Sequence, residues 1–277
     1  RKAMAVYEDH QSSSYDVEHC NWSNLPEDDF IQHEDLPYCI GEFVWTGFDY
    51  LGEPTPFNSD NTNLLNFRTD PSKRAELEKQ LAELARTQPP SRSSYFGIVD
   101  LAGFPKDRYY LYQSHWRPDF PMAHILPHWN WAGREGQIIP VHVYTSGTEA
   151  ELFVNGKSYG RKAKEEGKDF RLVWDSVVYQ PGSVKVIAYK DGKEWAEDEI
   201  QTTGEAQKIQ LSVDHTSIIG SEDELAFVTA TIVDASGRKV PTACLPLKVE
   251  VTGCGELVAT DNGDPTSFTP FQSAERE

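Results

Sequence analysis

The sequence is poor in cations, in cysteine and in long apolar runs, and each shortage excludes a class of function. Lys and Arg number 26 against 44 Asp and Glu, a formal net charge of −18 over 277 residues. Nucleic acids and anionic membranes bind cationic patches, so neither is an expected partner. No stretch approaches roughly 18 consecutive apolar residues, so no membrane span is predicted. The four cysteines form no C-x-x-C pair, and neither a metal site nor a cofactor is expected.

Aromatic residues, in contrast, are plentiful, with 7 Trp, 12 Tyr and 13 Phe. Disordered chains are usually poor in aromatics, so these residues indicate a folded protein. Flat apolar faces fill cores, and they also stack on sugar rings and on nucleic-acid bases. Because the acidic charge disfavours bases, sugars remain as the class of ligand.

The first part of the chain, residues 1–118, mixes loops, helices and short apolar runs. Residues 21–36 are polar and predict a surface loop, whereas YCIGEFVW at 38–45 predicts a buried strand. SYFGIV at 94–99 predicts a second short strand. Asp70 and Pro71 are typical of a helix start. Residues 107–116 are rich in aromatics and suit a helix or a strand equally.

From residue 121 the pattern becomes that of β-structure. Alternating apolar residues and the turn pairs Asn155-Gly156 and Asp191-Gly192 predict a β-sandwich over 121–203, and residues 202–205 predict a linker after it. A second β unit over 205–277 offers five or six strands, among them LKVEVTG at 247–253 and ELVATDNG at 256–263. An immunoglobulin-like sandwich has about seven. The strand at 38–45 also lacks neighbours that would bury it. We therefore expect a piece of a longer protein, interrupted inside a domain at both ends.

Two segments carry a family resemblance. They are GEFVWTGFDYLGEPTPF at 41–57 and SSYFGIVDLAGFPKDRYYLYQSHW at 93–116. Together they resemble the end of the catalytic barrel of glycoside hydrolase family 2, most closely its bacterial β-galactosidases. The resemblance implies a multidomain fold: the C-terminal end of a (β/α)₈ TIM barrel, followed by two immunoglobulin-like β-sandwich domains. Residues 41–45 would be the eighth barrel strand, and the loop after it would face the active site.

The resemblance also implies site residues. Trp45 would form a wall of the sugar subsite, and Asp49 and Glu53 would accept hydrogen bonds from sugar hydroxyls. The alternatives are a core role for Trp45 and loop capping for both carboxylates. Members of the family are retaining glycosidases with two catalytic carboxylates, both expected upstream of Arg1. The chain would thus contribute to cleavage of terminal β-D-galactosides without carrying a catalytic residue, and alone it should be inactive.

Rival interpretations stay open. The sandwiches could form a non-catalytic glycan-binding or spacer module, with Trp129 and Trp131 as platforms, although sandwich core explains both residues. The parent could be a β-glucuronidase, but residues 41–57 contain no Lys or Arg to bind a sugar carboxylate. A Ca²⁺ site at Asp261–Asp264 competes with a tight Asn-Gly turn. A periplasmic or cell-surface bacterial location would suit the family, while the sequence itself leaves localisation unknown.

Overall fold

The computed structural model describes residues 15–17, 19, 23–53, 92–220 and 224–276. The helix predicted from Asp70 lies outside this part of the chain. Two helices are described, α1 (Pro26–Asp35) and α2 (Asp107–Trp116). The strands are β1 (Ala123–Leu126), β2 (Val141–Thr145), β3 (Glu149–Val154), β4 (Lys157–Ala163), β5 (Leu172–Trp174), β6 (Ser183–Lys190), β7 (Lys193–Gln201), β8 (Lys208–Val213), β9 (Val228–Val233), β10 (Leu247–Lys248) and β11 (Glu275–Arg276).

The central part of the fold is a pair of antiparallel sheets packed face to face. One has the strand order β1-β2-β5 and the other β4-β3-β6-β7. Their inward residues form one apolar core, in which Val143 and Leu172 meet Leu152 and Val186. Asn155-Gly156 joins β3 to β4, and Asp191-Gly192 joins β6 to β7. All four turn residues have positive φ, as the favoured two-residue hairpins require, and both predicted turns are confirmed.

Trp129 and Trp131 belong to this sandwich. Trp129 is buried in the core and donates its indole N–H to the carbonyl of Gln180 at 3.0 Å. Trp131 packs partly buried against the same core and donates to the carbonyl of His128 at 2.8 Å. The core interpretation of both residues is confirmed. A buried indole offers no face to a glycan, so the suggestion that Trp129 forms a platform is wrong.

Helix α2 packs against the outer face of β2, and α1 packs on α2. Phe30 of α1 is fully buried and contacts Tyr112 of α2. The surface loop predicted over 21–36 is wrong, because most of it is helix. Pro26 lies at the first helical position and three acidic residues fill the first turn, where the helix dipole favours negative charge. With a single fully buried apolar anchor, α1 gives too weak a periodic pattern to be recognised in the sequence.

The segment 38–45, predicted as a buried strand, forms no strand. Its side chains at Tyr38, Ile40 and Phe43 are exposed. Only isolated bridges follow it, one of them between Phe48 and Val99. A strand requires a hydrogen-bonded neighbour along its length, and none of the described residues supplies one.

The last β unit is thinner than the sandwich. β8 and β9 form a two-stranded ribbon, and β10 pairs with β11, so the strand predicted over 247–253 is present in part and that over 256–263 is not. One face of the ribbon presents three apolar cross-strand pairs: Ile209 with Ile232, Leu211 with Ala230 and Val213 with Val228. Most of this face is exposed. The fold as a whole is mostly β, with antiparallel sheets.

The predicted linker at 202–205 joins the two β units through hydrogen bonds from both sides. The N–H of Thr203 donates to Asn130 of the sandwich at 3.0 Å. The N–H of Gly204 donates to Asp234 of the last unit, also at 3.0 Å. This connection is therefore structured. The domain limits at 118, 121, 203 and 205 remain predictions.

Candidate functional site

The residues suggested by the sequence lie in the loop 45–53, which we call the site loop. Trp45 is 70% exposed, and its indole N–H donates to the Tyr50 hydroxyl at 3.1 Å. The Tyr50 hydroxyl donates in turn to the carboxylate of Glu53. Trp45 and Glu53 thus meet on one exposed edge, bridged by Tyr50. Burial raises the pKa of the Tyr50 hydroxyl, and the hydrogen bond to Glu53 raises it further, so the bridging proton stays on Tyr50.

Asp49 points in the opposite direction. It is only 4% exposed, and one carboxylate oxygen accepts the N–H of Gly97 at 2.7 Å and the hydroxyl of Ser94 at 3.2 Å. The other oxygen lies 2.5 Å from the ammonium of Lys106. Burial lowers the pKa of Lys106, an effect that Asp49 opposes. The structure therefore brings Trp45 and Glu53 together and places Asp49 beneath them, tied to internal partners.

Residues 92–100, here called the backing segment, hold the site loop from behind. The N–H of Ile98 donates to the Thr46 carbonyl at 3.0 Å, and that of Ser94 donates to the Tyr50 carbonyl at 2.9 Å. A Cβ on Gly97 would lie 2.2 Å from the Asp49 nitrogen, so only glycine permits this close approach.

Sequence reasoning found the backing segment as a short strand-like run but missed these contacts. The partners of the site loop, Ser94, Gly97 and Lys106, are distant from it along the chain. The two hydrogen bonds of the Ser94 hydroxyl, for example, join residues 44 and 45 positions apart. The SYFGIV run indicates a β-type segment, but nothing in it names the partner. The one available signal was an isolated glycine inside a strand-like run, which often marks close backbone approach.

The chemistry of this edge is that of a platform with polar neighbours. An exposed indole offers a rigid apolar face, and the Glu53 carboxylate beside it accepts hydrogen bonds. A ligand with one apolar face and a rim of hydroxyl groups matches both features. Within the part of the chain that the structure describes, no cluster of three or more potential metal-ligating side chains occurs. No helix there is long and apolar enough to cross a membrane.

Comparison with known proteins identifies the relatives of both β units. Residues 136–196 match the model of a domain of unknown function, DUF4982. Residues 209–277 match the model described as glycoside hydrolase family 2 C-terminal domain 5. The chain is a relative of family 2 glycoside hydrolases. It is 40% identical over 266 residues to the β-galactosidase BoGH2A of Bacteroides ovatus, covering 96% of this chain and 27% of that protein.

Two further proteins extend the comparison. A β-glucuronidase of Formosa agariphila is 31% identical over 153 residues, covering 53% of this chain and 15% of that protein. The crystal structure of a β-glycosidase from Bacteroides vulgatus superposes with a TM-score of 0.77 at 32% identity, over 96% of this chain and 29% of that one. The chain thus spans about a quarter of the length of the β-galactosidase and of the solved glycosidase.

Proposed function

We propose that the chain forms part of a retaining family 2 glycosidase that cleaves terminal β-D-galactosides. The observation that carries the proposal is the exposed Trp45, held by Tyr50 and flanked by Glu53, in the segment that resembles the end of the family's barrel. The 40% identity to a β-galactosidase over nearly the whole chain supports the substrate class. In this proposal residues 41–45 belong to the end of a (β/α)₈ barrel, and the site loop lies at its active-site face.

Each site residue then has a separate role. The indole of Trp45 packs against the apolar C–H face of the sugar, and Glu53 accepts a hydrogen bond from a sugar hydroxyl. Asp49 carries less of the sugar binding, because its oxygens are already bound to Gly97, Ser94 and Lys106. We assign it the task of fixing the site loop on the backing segment.

Cleavage itself requires residues beyond the site loop. A retaining glycosidase needs two carboxyl groups about 5–5.5 Å apart, one as nucleophile and one as acid and base. In the site loop the Asp49 carboxylate is buried in an ion pair and Glu53 is bound to Tyr50. Neither acts as a catalytic group in this proposal, which follows the family resemblance in placing both catalytic carboxylates N-terminal to Arg1, with the sugar held between them and Trp45.

The test uses the enzyme that carries this chain. Trp45→Ala should lower kcat/KM for nitrophenyl β-galactoside about tenfold or more, the equivalent of roughly 1.4 kcal/mol of lost sugar contact. Trp45→Phe should recover part of it. The matched control is Trp116→Ala, which removes another exposed indole on α2. Equal kinetics for the Trp45→Ala and Trp116→Ala enzymes would refute the assignment.

A β-glucuronidase is the second candidate, favoured by the similarity to the Formosa agariphila enzyme. A glucuronide carries a carboxylate that needs cationic or amide partners. Among the residues described, Lys106 is a cation that contacts the site loop, but its ammonium group is paired with the Asp49 carboxylate. We therefore expect nitrophenyl β-galactoside to be the better substrate, and a higher kcat/KM for the β-glucuronide would reverse the assignment.

A further inference from the structure

Arg92, at the start of the backing segment, is bound by the last β unit. Its N–H donates to the carbonyl of Pro265 at 3.0 Å, and its guanidinium donates to the carbonyl of Thr269 at 3.0 Å. The guanidinium also lies 3.7 Å from the Asp261 carboxylate and 4.1 Å from the centre of the Phe271 ring. Hydrogen-bond, charge and ring contacts thus converge on one residue, all from residues 261–271, which we call the clamp loop.

The other end of the backing segment touches the same loop. Gly263 is buried against Asp100, and a Cβ added to it would lie 2.2 Å from a carboxylate oxygen of Asp100. That carboxylate has little freedom to move away, because it accepts the N–H groups of Ala102 at 3.0 Å and Phe104 at 2.8 Å. Gly263 also has a φ of +72°, where other residues are strained.

Between these two ends, the backing segment carries the site loop. Next to Arg92, Ser93 pairs with Leu51, and the N–H of Ser94 binds the Tyr50 carbonyl. Next to Asp100, Val99 accepts the N–H of Asp49 at 2.9 Å. Tyr50 in turn holds the indole of Trp45. A continuous set of contacts therefore runs from the clamp loop to Trp45.

We propose that the clamp loop is a positioning element for the site loop, acting through Arg92 and Gly263. By fixing both ends of the backing segment it sets the position of Tyr50 and, through it, the orientation of Trp45. The last β unit would then influence sugar binding without contacting the sugar. Only this consequence for sugar binding rests on the proposed function; the coupling itself stands on the contacts.

The coupling is tested on the full chain labelled with 5-fluorotryptophan. Of the seven fluorine resonances, that of Trp45 is assigned by its loss in Trp45→Phe. Arg92→Ala and Gly263→Ala should each shift the Trp45 resonance by more than its linewidth and leave that of Trp129 in place. Two controls lie in the same unit. Gly237→Ala imposes a similar positive-φ strain, at +81°, with open space around the added methyl, and Arg238→Ala removes an arginine bound to Asp234.

Shifts confined to the Arg92 and Gly263 variants support the proposal, and an unmoved Trp45 resonance in both overturns it. If Arg92→Ala unfolds the last β unit, the Trp45 resonance is compared in Arg92→Lys and Gly263→Ala instead. A shift in these variants supports the proposal, and an unmoved resonance in both overturns it. The result is separable from the test of function. Unchanged kinetics of the Trp45→Ala enzyme would remove the sugar contact while leaving the fluorine shifts as evidence of coupling.

Discussion

His142 shows how a single residue can make stability depend on pH. It lies on the outer face of β2, is buried, and its ring centre is 4.6 Å from that of Tyr15. Burial lowers the pKa of its imidazole to about 4, and the nearby Arg171 contributes in the same direction. The imidazole is therefore neutral in the folded chain under conditions where an exposed histidine is half protonated.

The consequence is a loss of stability on acidification. An unfolded histidine takes up its proton near pH 6.5, before the folded one does, so the contribution of His142 is complete above pH 6.5 and is lost as the pH falls toward 4. The loss from this group should be roughly 2–3 kcal/mol. Urea unfolding of His142→Gln should show a smaller fall across this range than the unsubstituted chain. The exposed His215→Gln should match the unsubstituted chain, and so would His142→Gln if the group played no part.

At the scale of elements, α1 docks on the rest of the fold chiefly through one buried ring and one ion pair. Phe30 contacts His115 with ring centres 4.1 Å apart and Phe170 at 5.2 Å. Arg171, just before β5, pairs with Glu27 at the start of the helix. Because a helix of 10 residues is unstable alone in water, α1 depends on this docking.

Phe30→Ala should therefore release α1 without unfolding the sandwich. Removing a fully buried phenyl ring typically costs about 3–5 kcal/mol. Hydrogen exchange should show α1 amides losing protection while those of β3 and β6 retain theirs. Gln32→Ala, at an exposed position of the same helix, is the control and should leave α1 protected. Equal protection in both variants would show that the ring is not the anchor.

The elements also show what the sequence could and could not predict. The sandwich hairpins were predictable because alternation and Asn-Gly or Asp-Gly pairs act locally. The strand at 38–45 was predicted wrongly. A strand forms only beside hydrogen-bonded partner strands, and an apolar run in the sequence does not show whether such partners exist. In the site, Trp45 and Glu53 came from a resemblance, whereas the roles of Lys106 and Gly97 depend on contacts made across the chain.

At the scale of the whole molecule, the proposed sugar site has to be completed by residues outside the site loop. It spans 27% of the length of the B. ovatus β-galactosidase, and the site loop offers no second free carboxylate beside Glu53. Its charge of −18 is compatible with a neutral sugar and unfavourable for an anionic one.

We therefore expect the 277-residue chain to hydrolyse no glycoside on its own. The purified chain should release no nitrophenol from nitrophenyl β-galactoside above the uncatalysed rate, while the enzyme that carries it should do so readily. Turnover by the chain that is lost in Glu53→Gln would instead make Glu53 catalytic and overturn the proposed placement of the carboxylates.

The contact between Gly263 and Asp100 has a consequence for how such sequences can diverge. A side chain at position 263 has room only if position 100 becomes smaller, because the Asp100 carboxylate is held by the Ala102 and Phe104 amides. The two positions, 163 residues apart, should therefore change together among relatives. Such paired substitution would show that the last β unit and the segment behind the site loop evolve under a shared constraint.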